Sequence, residues 1–402
     1  MARNSRVRIT LKFFVVLLLA VVTARADRLL SDQATASMWT VGPGPDLYAA
    51  FGHSALRIRD PELGVDRLYN FGTFNFETPD FYVKFVRGYL NYFLTAAIAP
   101  EVLEDYRQVT HQLVVEQELN LTPEELDRLV MDLENNLKPE NAAYRYDFVL
   151  DNCSTRIRDV VARAADIQWP AATADTTLRE HLRPYMVDRP LTWQGMQLVF
   201  GTRMDHTAGS AAETMFLPSE MKNGFDGATI GPEKRPLVRR TSVLNEGPRL
   251  PDRAPPWPLR FAVALAIVGL VAHSLKWRWV RFADATLFVM AGLIGVFLLF
   301  CWFGTRHWVL KDNWNLAWAW PSHLFVWFLP MFLRRIYWRV TAMALALFLV
   351  GMWFLPQEFP SVIVPVLVFS MVRAWARGKK DSEDRQPPAS GGSPVASGVS
   401  GR

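Results

Sequence analysis

The sequence predicts an α+β soluble domain followed by an all-α membrane domain of five helices. Three observations carry that prediction. Residues 27–250 mix alternating, strand-like runs with capped amphipathic helices. Residues 259–376 fall into long apolar runs. Ahead of both, the N-terminus is basic and then apolar, the pattern of a segment that sends a domain across a membrane.

At that N-terminus Arg3, Arg6, Arg8 and Lys12 precede the apolar run Phe13–Val22, and Ala24-Arg25-Ala26 gives a small-x-small cleavage signature. About ten apolar residues are too few to cross a bilayer, so a cleaved signal over residues 1–26 is expected rather than an anchor. No cysteine follows the run, as a lipoprotein signal would require. The net charge of +5 does not argue for a nucleic-acid partner, because many basic residues sit in short loops between apolar runs, where membrane topology accounts for them. The chain has two cysteines, Cys153 in the soluble part and Cys301 inside an apolar run. That separation excludes a disulfide framework.

In the soluble part, Ser54–Arg59 alternates apolar and polar residues and reads as a strand, as does the aromatic-rich Arg67–Phe76 after the turn Pro61-Glu62-Leu63-Gly64. Pro79–Leu90 reads as a short aromatic helix and His111–Leu121 as another strand. Thr122-Pro123-Glu124-Glu125 supplies a cap, a first-turn proline and early acids for a helix to Leu137. Asp151 or Asn152 caps a helix to about Ala165, with Ile157, Val160, Val161 and Ala164 as its apolar stripe. The proline-rich 251–258 reads as a linker. Five spans are expected at 259–275, 284–304, 315–333, 338–355 and 360–376, followed by a disordered tail over 377–402. The basic loops, with Lys276, Arg278 and Arg281, then Arg334, Arg335 and Arg339, then Arg373, Arg377, Lys379 and Lys380, place the C-terminus in the cytoplasm and the soluble domain outside.

The candidate chemistry is a thiol with an imidazole. Cys153 stands at a helix start, where free N–H groups and the dipole favour a thiolate and could also receive an oxyanion. His53 opens a strand and is the candidate base, with Asn70 to orient it and Tyr69 or Asn75 as weaker alternatives. Tyr48, Asn152 and Ser154 are candidate supporting or oxyanion groups. On the membrane side, Asn313, Asn315 and His323 lie at or inside the start of the third expected span, where polar groups are costly and serve either function or helix–helix hydrogen bonding. The scattered histidines His111, His181 and His206 lack the spacing of a metal site, so neither metal nor cofactor is expected.

At these positions the chain resembles a known family. Tyr48–Ile58 with its Gly-His-Ser, Leu68-Tyr69-Asn70-Phe71-Gly72-Thr73-Phe74 and Asp151-Asn152-Cys153-Ser154-Thr155-Arg156 look like the periplasmic domain of the Lnb-type lipoprotein N-acyltransferases. Gly201–Asp205, Phe216-Leu217-Pro218 and Asp312-Asn313-Trp314-Asn315-Leu316 with Pro321 fit the same pattern. The order of histidine before Asn-Cys also resembles the permuted papain-like (NlpC/LRAT-like) group. The resemblance implies a bacterial inner-membrane enzyme with its thiol domain in the periplasm. It would move an acyl chain from a phospholipid, through a thioester on Cys153, to the N-terminal amine of a lipoprotein, with His53 as the base. Rival readings are a cell-wall thiol peptidase or amidase, against which the membrane tail counts, and a non-enzymatic membrane assembly protein.

Overall fold

The computed structural model describes residues 28–172, 175–248 and 253–383. The expected signal peptide, part of the linker and most of the expected tail lie outside those residues. The chain divides into two units, one of residues up to 185 with 207–250 and one of 186–206 with 251 onward.

The first unit is built on one antiparallel sheet. Its strands are β1 (Thr35–Val41), β2 (His53–Asp60), β3 (Val65–Thr73), β4 (Asn91–Ile98), β5 (Val114–Leu119), β6 (Ala143–Arg145) and, late in the chain, β10 (Val238–Asn245), in the order β10-β5-β1-β2-β3-β4-β6. The short strands β7 (Ile167–Gln168), β8 (Thr229–Ile230) and β9 (Arg235–Pro236) form a second, small sheet. Helices α1 (Phe81–Arg87) and α2 (Ala99–Asp105) flank β4 in sequence, and α3 (Pro123–Leu137) and α4 (Cys153–Ala164) follow β5.

Local chemistry accounts for the two long helices. Thr122 and Glu125 close a reciprocal capping box on α3, with Pro123 at its first turn, and Leu126, Leu129, Val130 and Leu133 are buried on one face. Asn152 caps α4, whose expected stripe Ile157, Val160, Val161 and Ala164 is buried throughout. These two faces join Met38, Leu56, Ile58, Tyr69 and Phe71 of the sheet in one core. Trp39, Val41, Ala55 and Leu68 form a second with Ala99 of α2. Alternation along β1 and β2 divides the two sets, as a sheet covered on both faces requires.

Four further helices are α5 (Pro190–Val199), α6 (Pro218–Gly227), α7 (Trp257–Ser274) and α8 (Val280–Leu299), followed by α9 (Met331–Gly351) and α10 (Ile363–Glu383). Helix α6 belongs to the first unit. Helix α5, which sequence reading assigned to the outer domain, packs instead in the second unit with α7–α10.

The expected five spans are reproduced in part. Among the described residues, three helices are long and apolar enough to cross a membrane: Trp257–Ser274, Val280–Gly304 and Met331–Phe354. The expected span 315–333 is not a helix but a chain of short 3-10 turns, at Trp314–Ala317, Pro321–Leu324 and Val326–Phe328. Pro321 and Pro330 remove backbone donors there, and the interrupted backbone is tolerated because protein surrounds it: Asn315, Ala319, His323 and Val326 are buried. The fifth stretch is helical but runs on into its basic residues, to Glu383.

Candidate thiol site

The turn before α4 sets the position of the sulfur. Asn152 Oδ1 accepts the N–H groups of Ser154 (2.9 Å) and Thr155 (3.0 Å). Its Nδ2 donates to the carbonyls of Phe148 and Phe216, both at 2.8 Å. Thr155 Oγ1 returns a contact by accepting the Asn152 N–H at 2.8 Å. Asn152 is therefore a support, its amide committed to protein groups. Its tie to Phe216 brings Phe216-Leu217-Pro218 against the Asn-Cys turn. The Cys153 N–H, at the first helical position, has no acceptor within the helix by geometry.

Helix α4 packs on β2 and β3, and this brings the thiol to His53 at the start of β2. His53 Nε2 lies 2.7 Å from Asn70 Oδ1. With that oxygen as acceptor, Nε2 carries the proton and Nδ1 is left for the sulfur. His53 and Cys153 stand close enough for each to shift the titration of the other. Ser54 supports the same centre: its hydroxyl pairs with that of buried Ser154 at 2.9 Å. Ser154 Oγ is 3.9 Å from the sulfur.

The electrostatics follow from that packing. Burial opposes charge on Cys153, but the His53 imidazole and the hydrogen bonds from His53, Ser54 and Ser154 outweigh it and bring the thiol below its ordinary pKa. Burial likewise opposes charge on His53, and Cys153 with Asn70 raises its pKa nonetheless. Lowering the thiol while raising the imidazole moves the pair toward the thiolate–imidazolium form. Alkylation of Cys153 by iodoacetamide should accordingly inflect below the ordinary thiol value. His53→Ala should move that inflection upward, because the burial penalty stays and the counter-charge goes. An inflection that ignores His53→Ala would contradict the pairing.

Gly72 is a site residue that sequence reading quoted but did not single out. It sits at φ +140° in a bulge between Phe71 and Thr73 of β3. A Cβ there would stand 3.3 Å from His53 Cε1 and 3.8 Å from Cys153 Cβ. Glycine is needed on both counts, backbone conformation and closeness to the pair. Three tyrosines were missed entirely. Tyr106 is pushed up to about 12 by burial and then by the Cys153 charge, and Tyr144 and Tyr146 rise for the same two reasons. Tyr144 and Tyr146 alternate across the short strand β6 and its end, too brief a pattern to read as a site from sequence.

The other expected residues fall elsewhere. Tyr48 is 76 % exposed and its hydroxyl donates to Asp46 at 2.9 Å, so it is not engaged with His53. Tyr69 donates to Glu134 at 2.6 Å, and Asn75 accepts the Glu77 N–H at 2.8 Å, which leaves Asn70 as the partner of the ring. Asn313, Asn315 and His323 are buried and bonded within the second unit. Asn313 Nδ2 donates to the carbonyls of Leu198 and Val199 (2.9 and 3.0 Å) and Asn315 Nδ2 to that of Leu198 (3.0 Å). His323 Nδ1 takes the Tyr337 hydroxyl at 2.7 Å. Gly201 completes this junction. Its N–H donates to Val309, and a Cβ there would overlap the Lys311 carbonyl oxygen at 1.6 Å. The two motifs 201–205 and 312–316 are thus two sides of one contact, sealed by Arg203 on Asp312 at 2.9 Å. Among the described residues, no three His, Cys, Asp or Glu side chains gather as a metal would need.

Sheet, helix-borne thiol, imidazole and apolar helices together define a membrane protein with a thiol–imidazole site in its N-terminal domain. Two family models agree in detail: the Lnb N-terminal periplasmic domain matches residues 23–189, and the Lnb transmembrane domain matches residues 253–379. The chain belongs to the Lnb family, and these two domains make it an inner-membrane protein with a periplasmic N-terminal domain. No curated protein and no solved structure matches it.

Proposed function

We propose that the protein is a membrane-bound thiol acyltransferase that moves an acyl chain from a phospholipid to the N-terminal amine of a lipoprotein. The observation that carries this reading is the electrostatic pairing of Cys153 with His53, whose ring is hydrogen-bonded to Asn70, in a chain that is also a membrane protein. The Cys153 thiolate attacks the ester carbonyl, and the C–S bond forms as the C–O bond breaks. The His53 imidazolium gives its proton to the departing lysophospholipid oxygen. The acceptor amine then attacks the thioester, His53 takes the proton it sheds, and breaking of the C–S bond restores the thiolate. The Cys153 N–H supports the oxyanion of both tetrahedral states. In this reading the thiol domain works on the periplasmic side after removal of residues 1–26, and the basic loops keep the C-terminus in the cytoplasm.

The test is to incubate the purified full chain with a phospholipid carrying an isotope-labelled acyl chain and map the adduct. A hydroxylamine-labile acyl group on Cys153 that passes to the amine of a diacylglyceryl peptide is expected. An adduct elsewhere, or none, together with unchanged lipoprotein N-termini in a deletion strain, would refute the reading.

A further inference from the structure

The second unit contains a half-open pocket of about 310 Å³ lined by α5, α8, α9 and α10, with Leu198, Ile294, Leu345 and Val366 among its lining. Polar side chains reach the wall at three places, and each is engaged with protein. Gln194 Oε1 accepts from the Ser361 hydroxyl and the Val362 N–H, both at 3.3 Å. His323 accepts from Tyr337, and Ser370 donates to the Val366 carbonyl at 2.7 Å. Helices α8 and α9 lie within segments suited to cross a membrane, so the medium around this unit is hydrocarbon.

One residue of the wall is unexplained by packing. Gly195 stands inside α5, where glycine is less favourable than alanine by about 0.5–1 kcal/mol. A Cβ on it would meet nothing within 4 Å, so no close approach requires a glycine there. Gly195 lines the pocket and is itself exposed, so it stands where the pocket opens outward. Helix α5 also belongs to the stretch inserted between Tyr185 and Thr207 of the unit that carries the thiol, so the wall is covalently continuous with that unit.

We propose that this cavity binds the long acyl chain of a diacyl membrane lipid. The assignment rests on the acyltransferase reading and deepens it, since both substrates of that reaction carry such chains.

Two probes test it on the full chain in nanodiscs: phosphatidylethanolamine and an S-diacylglyceryl peptide, each with a photoreactive diazirine in its acyl chain. Cross-links should concentrate on Leu198, Ile294 and Val366 over the outward-facing Leu347 and Val350 of α9, and the probe that does so names the source. Gly195→Phe, which projects a ring into open space, should cut that labelling about tenfold. If the variant fails to fold, the wild-type map decides alone. Labelling spread evenly over the apolar helices, or undiminished in folded Gly195→Phe, overturns the proposal. Acylation of wild-type Cys153 by a water-soluble short-chain ester is measured alongside. Its absence with focused cross-links sinks the thiol reading and leaves the cavity standing, and its presence with scattered cross-links does the reverse.

Discussion

Cys153→Ala is expected to lower acyl transfer by about three orders of magnitude or more, with the far-UV circular dichroism unchanged. The nucleophile disappears, yet little packing goes with it, because Cys153 is only part-buried and the cap of α4 resides in Asn152. His53→Ala should fall to a similar level. Without the imidazole the thiolate loses its counter-charge while burial still penalises it, and no group remains to protonate the leaving oxygen. The double variant should be no slower than the worse single one, since the two groups act as a unit. Asn70→Ala should cost less than either, because the ring stays and only its hold at 2.7 Å is lost. Single-turnover acylation of the purified variants measures all four. Multiplying effects in the double variant would mean that thiol and imidazole act in separate steps.

Much of this centre was legible because its signals are local. A cap residue, a cysteine at the first helical position and an apolar stripe at helical spacing all lie within Asn152–Ala164, and α4 forms as they dictate. Thr122-Pro123-Glu124-Glu125 was read the same way, and α3 begins at Pro123. The pairing of His53 with Asn70 needed a strand register that two adjacent runs and one turn nearly determine. What escaped is non-local or brief. Strands β1, β4 and β10 are ordered by partners far along the chain, and β10 joins the sheet beside β5 across more than a hundred residues. Helix α5 reads as part of a soluble domain, and only its burial against Asn313 and Asn315 shows otherwise. Hydropathy likewise made 315–333 look like a span, because buried turns and membrane helices share an apolar composition.

Asp284→Ala is expected to destabilise the membrane unit by about 3–5 kcal/mol, the cost of leaving a buried charge without its partner. Asp284 is fully buried in the first turns of α8. Its Oδ1 accepts from Arg373 Nε at 2.6 Å and its Oδ2 from Arg373 Nη2 and Arg377 Nε, both at 2.8 Å. The guanidinium of Arg373 also donates to His273 Nδ1 near the end of α7, so one carboxylate organises three helices. Arg377 retains the Arg281 carbonyl and the Trp327 ring when Asp284 is removed, but Arg373 is buried and keeps only a neutral imidazole. The comparison that isolates the charge is Asp284→Leu with Arg373→Met, which replaces the pair with hydrocarbon of similar length. That double variant should recover most of the loss, because a buried ion pair exchanged for apolar groups is often neutral. Thermal unfolding in detergent reads both. A single variant as stable as the double one would show that the carboxylate carries no part of the helix assembly.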